Sequence, residues 1–284
     1  MRILVAMDTN KYSAEIISDV TQLAANTWAD ITLLAVQAGG GNDQPDPDLV
    51  KALSQNQQNF FGQFQAGELP HGEADPQRFN KVTAGTWQTS GTGRKEFTLK
   101  IRTGAPIKEI LAEATEQQCD LIILGCSKDN GCQWDTEIDL PQKIARDAGC
   151  SVLVIKEGQI PKKITCCLDQ NQVSQDSLEM VNQIVNLHQA DLKIVGLTGP
   201  KGLPGKGEVE KKMQEILHYY SARKVNTLIK LVDNEDLEEF VERATREGMI
   251  ALWMGKKSLL GKIFSKDLVG KLVATSNSSA LILR

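Results

Sequence analysis

The sequence predicts an α/β fold of two tandem domains, each a five-stranded parallel sheet with helices on both faces. Three observations carry that prediction. Short apolar runs alternate with segments of helical period along most of the chain. The pattern restarts near the middle, where KITCCLD (163–169) mirrors RILVAMD (2–8) and ADLKIVGL (190–197) mirrors ADITLLAV (29–36), both 161 residues on. A strand-loop-helix-strand unit closes each half, as Leu121–Ile155 and again as Ile250–Leu283, with Gly125 and Gly131 placed like Gly255 and Gly261.

The elements follow in order. Met1–Met7 is a near-continuous apolar strand ending at Asp8, and a helix is read through Ile16, Ile17, Val20, Leu23 and Ala24. Asp30–Val36 is the second strand, and Pro45 to about Phe64 carries helical spacing at Leu49, Leu53, Phe60 and Phe61. From about 65 to 95 the pattern breaks, with Gly67, Pro70, Gly72, Pro76, Gly85, Gly91 and Gly93. There NKVTAGTWQT and RKEFTLKIR flank the turn-like SGTG, which predicts a β-hairpin extension whose second arm runs into the third core strand. Trp87 and Phe79 are expected to be exposed on it. A helix through Ile107, Ile110, Leu111 and Ala114 leads into the first closing unit. EGQIPKK (157–163) is a polar linker, so the domains are read as 1–157 and 162–284. In the second half FVERATRE (240–247) matches ILAEATEQ (110–117) only 130 residues on, and the extension accounts for the difference.

Composition narrows the function classes. With 284 residues and 41% hydrophobic content, each half can bury its own core. A net charge of −4 offers no field for nucleic acid. No run approaches a membrane span, and the first residues are too short an apolar run for a secretory signal, so a soluble cytoplasmic protein is expected. The six cysteines form no C-x-x-C pair and the three histidines lie near none of them, which argues against a metal. Cys166 and Cys167 read as small buried residues. Cys126 and Cys132 share the first-half loop, where a redox pair is one reading; with nothing beside them to lower a thiol pKa, separate thiols are the expectation.

RILVAMDTN, ADITLLAVQ, RTGAPIKEIL followed by CDLIILG, and the terminal SVLVIK together resemble the universal stress protein family, in tandem-domain form. The resemblance implies Rossmann-like (adenine nucleotide alpha hydrolase-like) domains that associate through their last strands, here Val152–Ile155 and Ala280–Leu283, as an intramolecular pseudo-dimer, with a homodimer as a further option. Nucleotide-binding members carry Gly-x2-Gly-x9-Gly-Ser/Thr after the fourth strand, where backbone amides and a hydroxyl hold phosphate. They also use the aspartate ending strand one and a backbone contact at the end of strand two. The positions so implied are Asp8, Val36 and Gly125 in the first half. In the second they are Asp169, Leu197 and Gly255, with Ser258, Gly261 and Lys262 in the loop.

The loops depart from that pattern. Lys128 or Ser258 stands where the second glycine belongs, and the closing Gly-Ser is replaced by Ile138-Asp139 and Lys266-Asp267. An aspartate opening a helix is expected to cap its free amides and place its charge where phosphate would sit. Lys256, Lys257, Lys262 and Lys266 leave the second half more open to an anion. GKKSLLGKI is not a P-loop, because five residues separate its glycines and Ile263 replaces the required hydroxyl. Asp8 and Asp169 have no histidine or second carboxylate at a telling distance, so a catalytic role is not expected. The reading is a non-catalytic stress-response protein that senses a ligand or binds an unidentified protein partner through a degenerate nucleotide loop, with no cofactor. The alternative is an ATP- or AMP-binding protein, with weak ATPase activity at most, using the second-half site.

Overall fold

The computed structural model describes residues 1–39, 44–64, 68–127, 132, 134, 137–169, 173–198, 206–254 and 266–284. It divides into two compact units, Met1–Gly158 and Gln159–Arg284.

In the first unit, β1 (Arg2–Met7) is buried along almost its whole length, as a central parallel strand must be. It is followed by α1 (Lys11–Glu15) and α2 (Ile17–Thr27), then β2 (Asp30–Gln37). Helix α2 ends where Trp28 takes a left-handed conformation (φ 51°) and returns its amide to the Ala24 carbonyl. Helix α3 (Pro47–Phe61) starts on a side-chain cap, the Asp46 carboxylate accepting from the Asp48 amide at 2.8 Å, with Pro47 at the first helical position. The remaining elements are β3 (Asn80–Thr83), β4 (Thr86–Gly91), β5 (Phe97–Thr103), α4 (Pro106–Glu116), β6 (Leu121–Cys126), α5 (Leu140–Asp147) and β7 (Ser151–Lys156). The sheet order is β7-β6-β1-β2-β5-β4-β3. The first five strands run parallel and the last two antiparallel.

The extension is a meander rather than one hairpin. NKVTAGTWQT folds back on itself as β3 and β4, the turn passing through Gly85 at φ +72°, and β4 then pairs with β5 from Thr86↔Arg102 to Gly91↔Phe97. This corrects the expectation for Trp87. Its side chain is only 4% exposed, because β4 caps the edge of the core sheet and presents Trp87 inward. Phe79, just before β3, is half-buried. Behind the same edge, the buried Glu113 of α4 accepts from Lys100 Nζ and from an Arg102 guanidinium nitrogen, each at 2.7 Å, and Arg102 also engages Glu109 and Glu116. Two cations around one fully buried carboxylate satisfy it where either alone would not.

The second unit contains β8 (Lys163–Cys167), α6 (Gln175–His188), β9 (Asp191–Thr198), α7 (Lys206–Ser221), β10 (Thr227–Asp233), α8 (Leu237–Glu247), β11 (Met249–Trp253), α9 (Lys266–Thr275) and β12 (Ala280–Leu283). Its order is β10-β9-β8-β11-β12, all parallel. Helix α6 is capped by Ser174, which accepts from the Ser177 amide at 3.1 Å. Each unit therefore has the core order third, second, first, fourth, fifth. The order of connection reverses beside the first strand, between β1 and β6 and between β8 and β11, and it is at the carboxyl ends of such strands that ligands bind on open parallel sheets.

Candidate functional site

In the first unit the sequence places Asp8 just after β1 and Gly125 near the end of β6, and the sheet register makes these neighbouring strand ends. Asp8 is buried and its carboxylate is fully engaged. One oxygen accepts from the Asn10 amide (2.9 Å) and the Ser13 hydroxyl (2.7 Å). The other accepts from the Asn10 side-chain amide (2.9 Å) and the Tyr12 hydroxyl. The Asp8 amide donates in turn to Ser13 Oγ at 3.1 Å. Two donors on each oxygen leave none of its principal acceptor sites for a ribose hydroxyl. Asp8 organises the turn into α1.

That turn brings α1 onto the end of β6. A Cβ added to Gly125 would lie 2.4 Å from the Tyr12 carbonyl oxygen, so glycine is required here by the close approach of protein backbone. The other side of Gly125 is also covered, for the Trp134 indole donates to the Gly125 carbonyl at 2.6 Å. Its ring lies 6.1 Å from that of Tyr12, and Trp134 is buried. Cys126, the next residue along, is joined to Cys132 by a disulfide, and both are buried. This corrects the expectation of separate thiols: thiol acidity decides how reactive a cysteine is, whereas the path of the loop decides which sulfurs meet. Gln142 of α5 holds the loop from the other end, donating to the Cys132 carbonyl at 3.0 Å.

Asp139 occupies the cap position of α5, but its carboxylate accepts none of the helix amides. It pairs with Lys143 one turn on, at 3.0 Å. The expectation that this carboxylate fills an anion slot at the helix start is thereby corrected. The backbone at Asp139 (φ −99°, ψ 18°) is outside the extended region from which a capping side chain reaches the amides, and the i, i+4 lysine is within reach instead. Val36, near the end of β2, is half-buried and lies opposite Arg102. Beside it the buried Gln37 side chain accepts from the Asp46 amide and donates to the Gln44 carbonyl, tying β2 to the start of α3.

In the second unit Asp169 follows β8 and is almost fully buried, its carbonyl accepting from the Val173 amide at 3.0 Å, and Leu197 is buried within β9. Gly255, Ser258, Gly261 and Lys262 lie outside the described residues, as do Lys128 and Gly131 of the first loop. The register nevertheless corrects the correspondence between Gly125 and Gly255. In β6, Leu124 lies opposite Ala6 and Gly125 opposite Ile155; in β11, Leu252 lies opposite Cys167 and Trp253 opposite Leu283. Trp253 thus stands in the place of Gly125, and Gly255 falls two positions later.

The cause is the corner before the strand. Gln117–Asp120 connect α4 to β6, whereas Gly248 alone connects α8 to β11, and a Cβ there would meet the Lys163 carbonyl oxygen at 2.4 Å. The shorter corner advances the strand. Trp253 is buried with its indole donating to Ser177 Oγ at 3.2 Å. Each unit therefore places a buried tryptophan at the end of its fourth core strand.

Among the described residues no cluster of histidine, cysteine or acidic side chains could hold a metal ion. Cys166 and Cys167 are buried, and desolvation pushes the Cys166 thiol up to about 12 and that of Cys167 well above its ordinary value. Neither is a nucleophile at neutral pH. Tyr12 and Trp134 were not among the expected site residues. Tyr12 was accessible to inspection as the residue one helical turn past Asp8, but nothing in GCQWD marks Trp134.

The model of the universal stress protein family matches residues 1–156, more than half of the chain. The chain belongs to the universal stress protein family. No curated protein matches it. Solved structures similar to this universal stress protein include a functionally unknown protein of Pseudomonas aeruginosa PAO1, 16% identical over 99% of this chain and 92% of that one, with a TM-score of 0.58. A universal stress protein of Archaeoglobus fulgidus DSM 4304 is 12% identical over 100% and 96%, with a TM-score of 0.55. The cytoplasmic domain of a prokaryotic cation chloride cotransporter is 13% identical over 99% and 94%, with a TM-score of 0.50. At these identities the likeness is one of fold. No helix among the described residues of this universal stress protein is long and apolar enough to cross a membrane.

Proposed function

We infer that this universal stress protein is a non-catalytic binding protein of the cytoplasm, with two tandem domains and a first-unit nucleotide cleft filled by its own side chains. One observation supports this above others: Tyr12 and Trp134 close on Gly125 while Asp8 spends its acceptor sites on the turn beneath them. A nucleotide phosphate needs free backbone amides at that strand end, and a ribose needs a free carboxylate. Binding of an unidentified protein partner is then the activity. A second reading is favoured by the lysines at 256, 257, 262 and 266, which would neutralise phosphates of ATP or AMP in the second unit even without the glycine-rich pattern.

The experiment is to chromatograph the small molecules released from denatured protein and to titrate ATP and AMP into the stripped protein while following its melting temperature. No released nucleotide and no shift at millimolar ligand support the first reading. Near-stoichiometric nucleotide, lost in Lys262→Ala but kept in Trp134→Phe, supports the second and places the ligand in the second unit.

A further inference from the structure

We propose that the Cys126–Cys132 disulfide is a redox-operated clasp that holds Trp134 over the end of β6, and that its reduction uncovers the first-unit cleft. The argument concerns how the closure is held and does not depend on whether nucleotide binds elsewhere.

Three observations meet at this place. The bridge joins a fixed point to a loop: Cys126 is the last residue of a fully buried strand, and Cys132 lies beyond it in the segment before α5. Trp134 is two residues past Cys132, so the bridge brings the chain back at the distance from which the indole reaches the Gly125 carbonyl. The rest of the hold on this loop among the described residues is slight. The Gln142 side chain donates to the Cys132 carbonyl, while its own Oε1 is buried with no hydrogen-bond partner. Cys132 itself adopts φ +50°, a conformation that L residues disfavour and that must be maintained by its surroundings. The covalent bond is the strongest of these restraints.

The chemistry balances with a dithiol as reductant. Its thiolate attacks the sulfur of Cys132, the loop partner, and the S–S bond breaks. Cys126 leaves as a thiolate and takes up one proton. The second thiol of the reductant then resolves the mixed disulfide, Cys132 takes up the second proton, and the reductant leaves as its own disulfide. Two electrons and two protons pass to the protein. Burial of both sulfurs makes exchange slow, because Cys132 must first lift out with the loop. Afterwards the indole bond to Gly125 competes with water without its tether, and the Gly125 carbonyl and the Tyr12 ring become accessible to an incoming group.

The test uses the full chain, oxidised and dithiothreitol-reduced. Free thiols are counted in denatured, unreduced protein, and the fluorescence of Trp134, isolated by subtracting Trp134→Phe, is quenched with acrylamide. The clasp predicts four titratable thiols among the six cysteines before reduction and six after. It predicts a several-fold rise in Trp134 quenching on reduction, and the same high quenching in Cys132→Ser under both conditions. Six thiols in the oxidised protein would overturn it. So would four thiols with Trp134 quenching unchanged by reduction, which would make the bridge a staple without a gate. The reduced wild type carries no substitution, so the outcome does not hang on whether the variant folds, and neither readout involves nucleotide.

Discussion

Two single residues dominate what pH does to this protein, and they act in opposite directions. Asp19, on α2, is mostly buried, and desolvation raises its carboxyl from 3.8 to about 6. The folded first unit therefore holds a proton there that the unfolded chain has lost, so stability falls as pH rises from about 4 to 6. At roughly 1.4 kcal/mol per unit the loss approaches about 3 kcal/mol. Asp19→Asn should recover much of that at pH 7 and nothing below pH 4, as read from urea unfolding of the first unit. His188, at the end of α6, is lowered from 6.5 to about 4 by burial. The unfolded chain binds the proton first, so the second unit loses stability as pH falls from 6.5 to 4, again by about 3 kcal/mol at the limit. His188→Leu should flatten that acid limb, and hydrogen exchange of second-unit amides measured at pH 4.5 and 7 checks it. Both residues were legible as positions on amphipathic helices. Their shifts were not, because desolvation depends on what the neighbouring elements cover.

At the scale of elements, the extension shows where pattern reading succeeds and where it stops. The turn residues and alternating segments did announce extra strands, and the strands are there. That Trp87 points inward followed from β4 adding antiparallel to β5, a pairing between segments that local propensity does not specify. Trp87→Ala should cost the first unit about 3–5 kcal/mol, as expected for removing a buried aromatic, with a matching fall in its urea midpoint. Removing the extension would likewise strip β4 from β5, so a loss of partner binding in such a deletion would report unfolding as much as docking. The disulfide loop is the second such element. Its sequence separation of six implies about 2–3 kcal/mol of loop-closure stabilisation in the chain-entropy picture. Reduction should therefore lower the urea midpoint of the oxidised first unit while leaving that of Cys132→Ser unchanged.

For the molecule as a whole, the division at Gly158 has a thermodynamic consequence. Each unit has its own buried central strands, so each should fold alone. Fragments 1–158 and 159–284 are expected to give separate cooperative melts, and far-ultraviolet circular dichroism of each would show it. A fragment that stays unfolded by itself would mean that its core is completed by the other.

The alternation of strands and helices, the repeat and the family landmarks were all readable from the amino-acid order, because a buried parallel strand and an amphipathic helix each write their period into consecutive residues. What fills the clefts was decided only in three dimensions. Gly125 matched a glycine that elsewhere admits a phosphate, yet here it admits the backbone of Tyr12, and a glycine looks the same in either use. Trp134 and the pairing of Cys126 with Cys132 depend on the course of an aperiodic loop. Trp253 reached the end of β11 because the corner at Gly248 is short, which slides the strand two residues against its neighbours. Register and loop path arise from contacts between distant segments, and no local pattern encodes them.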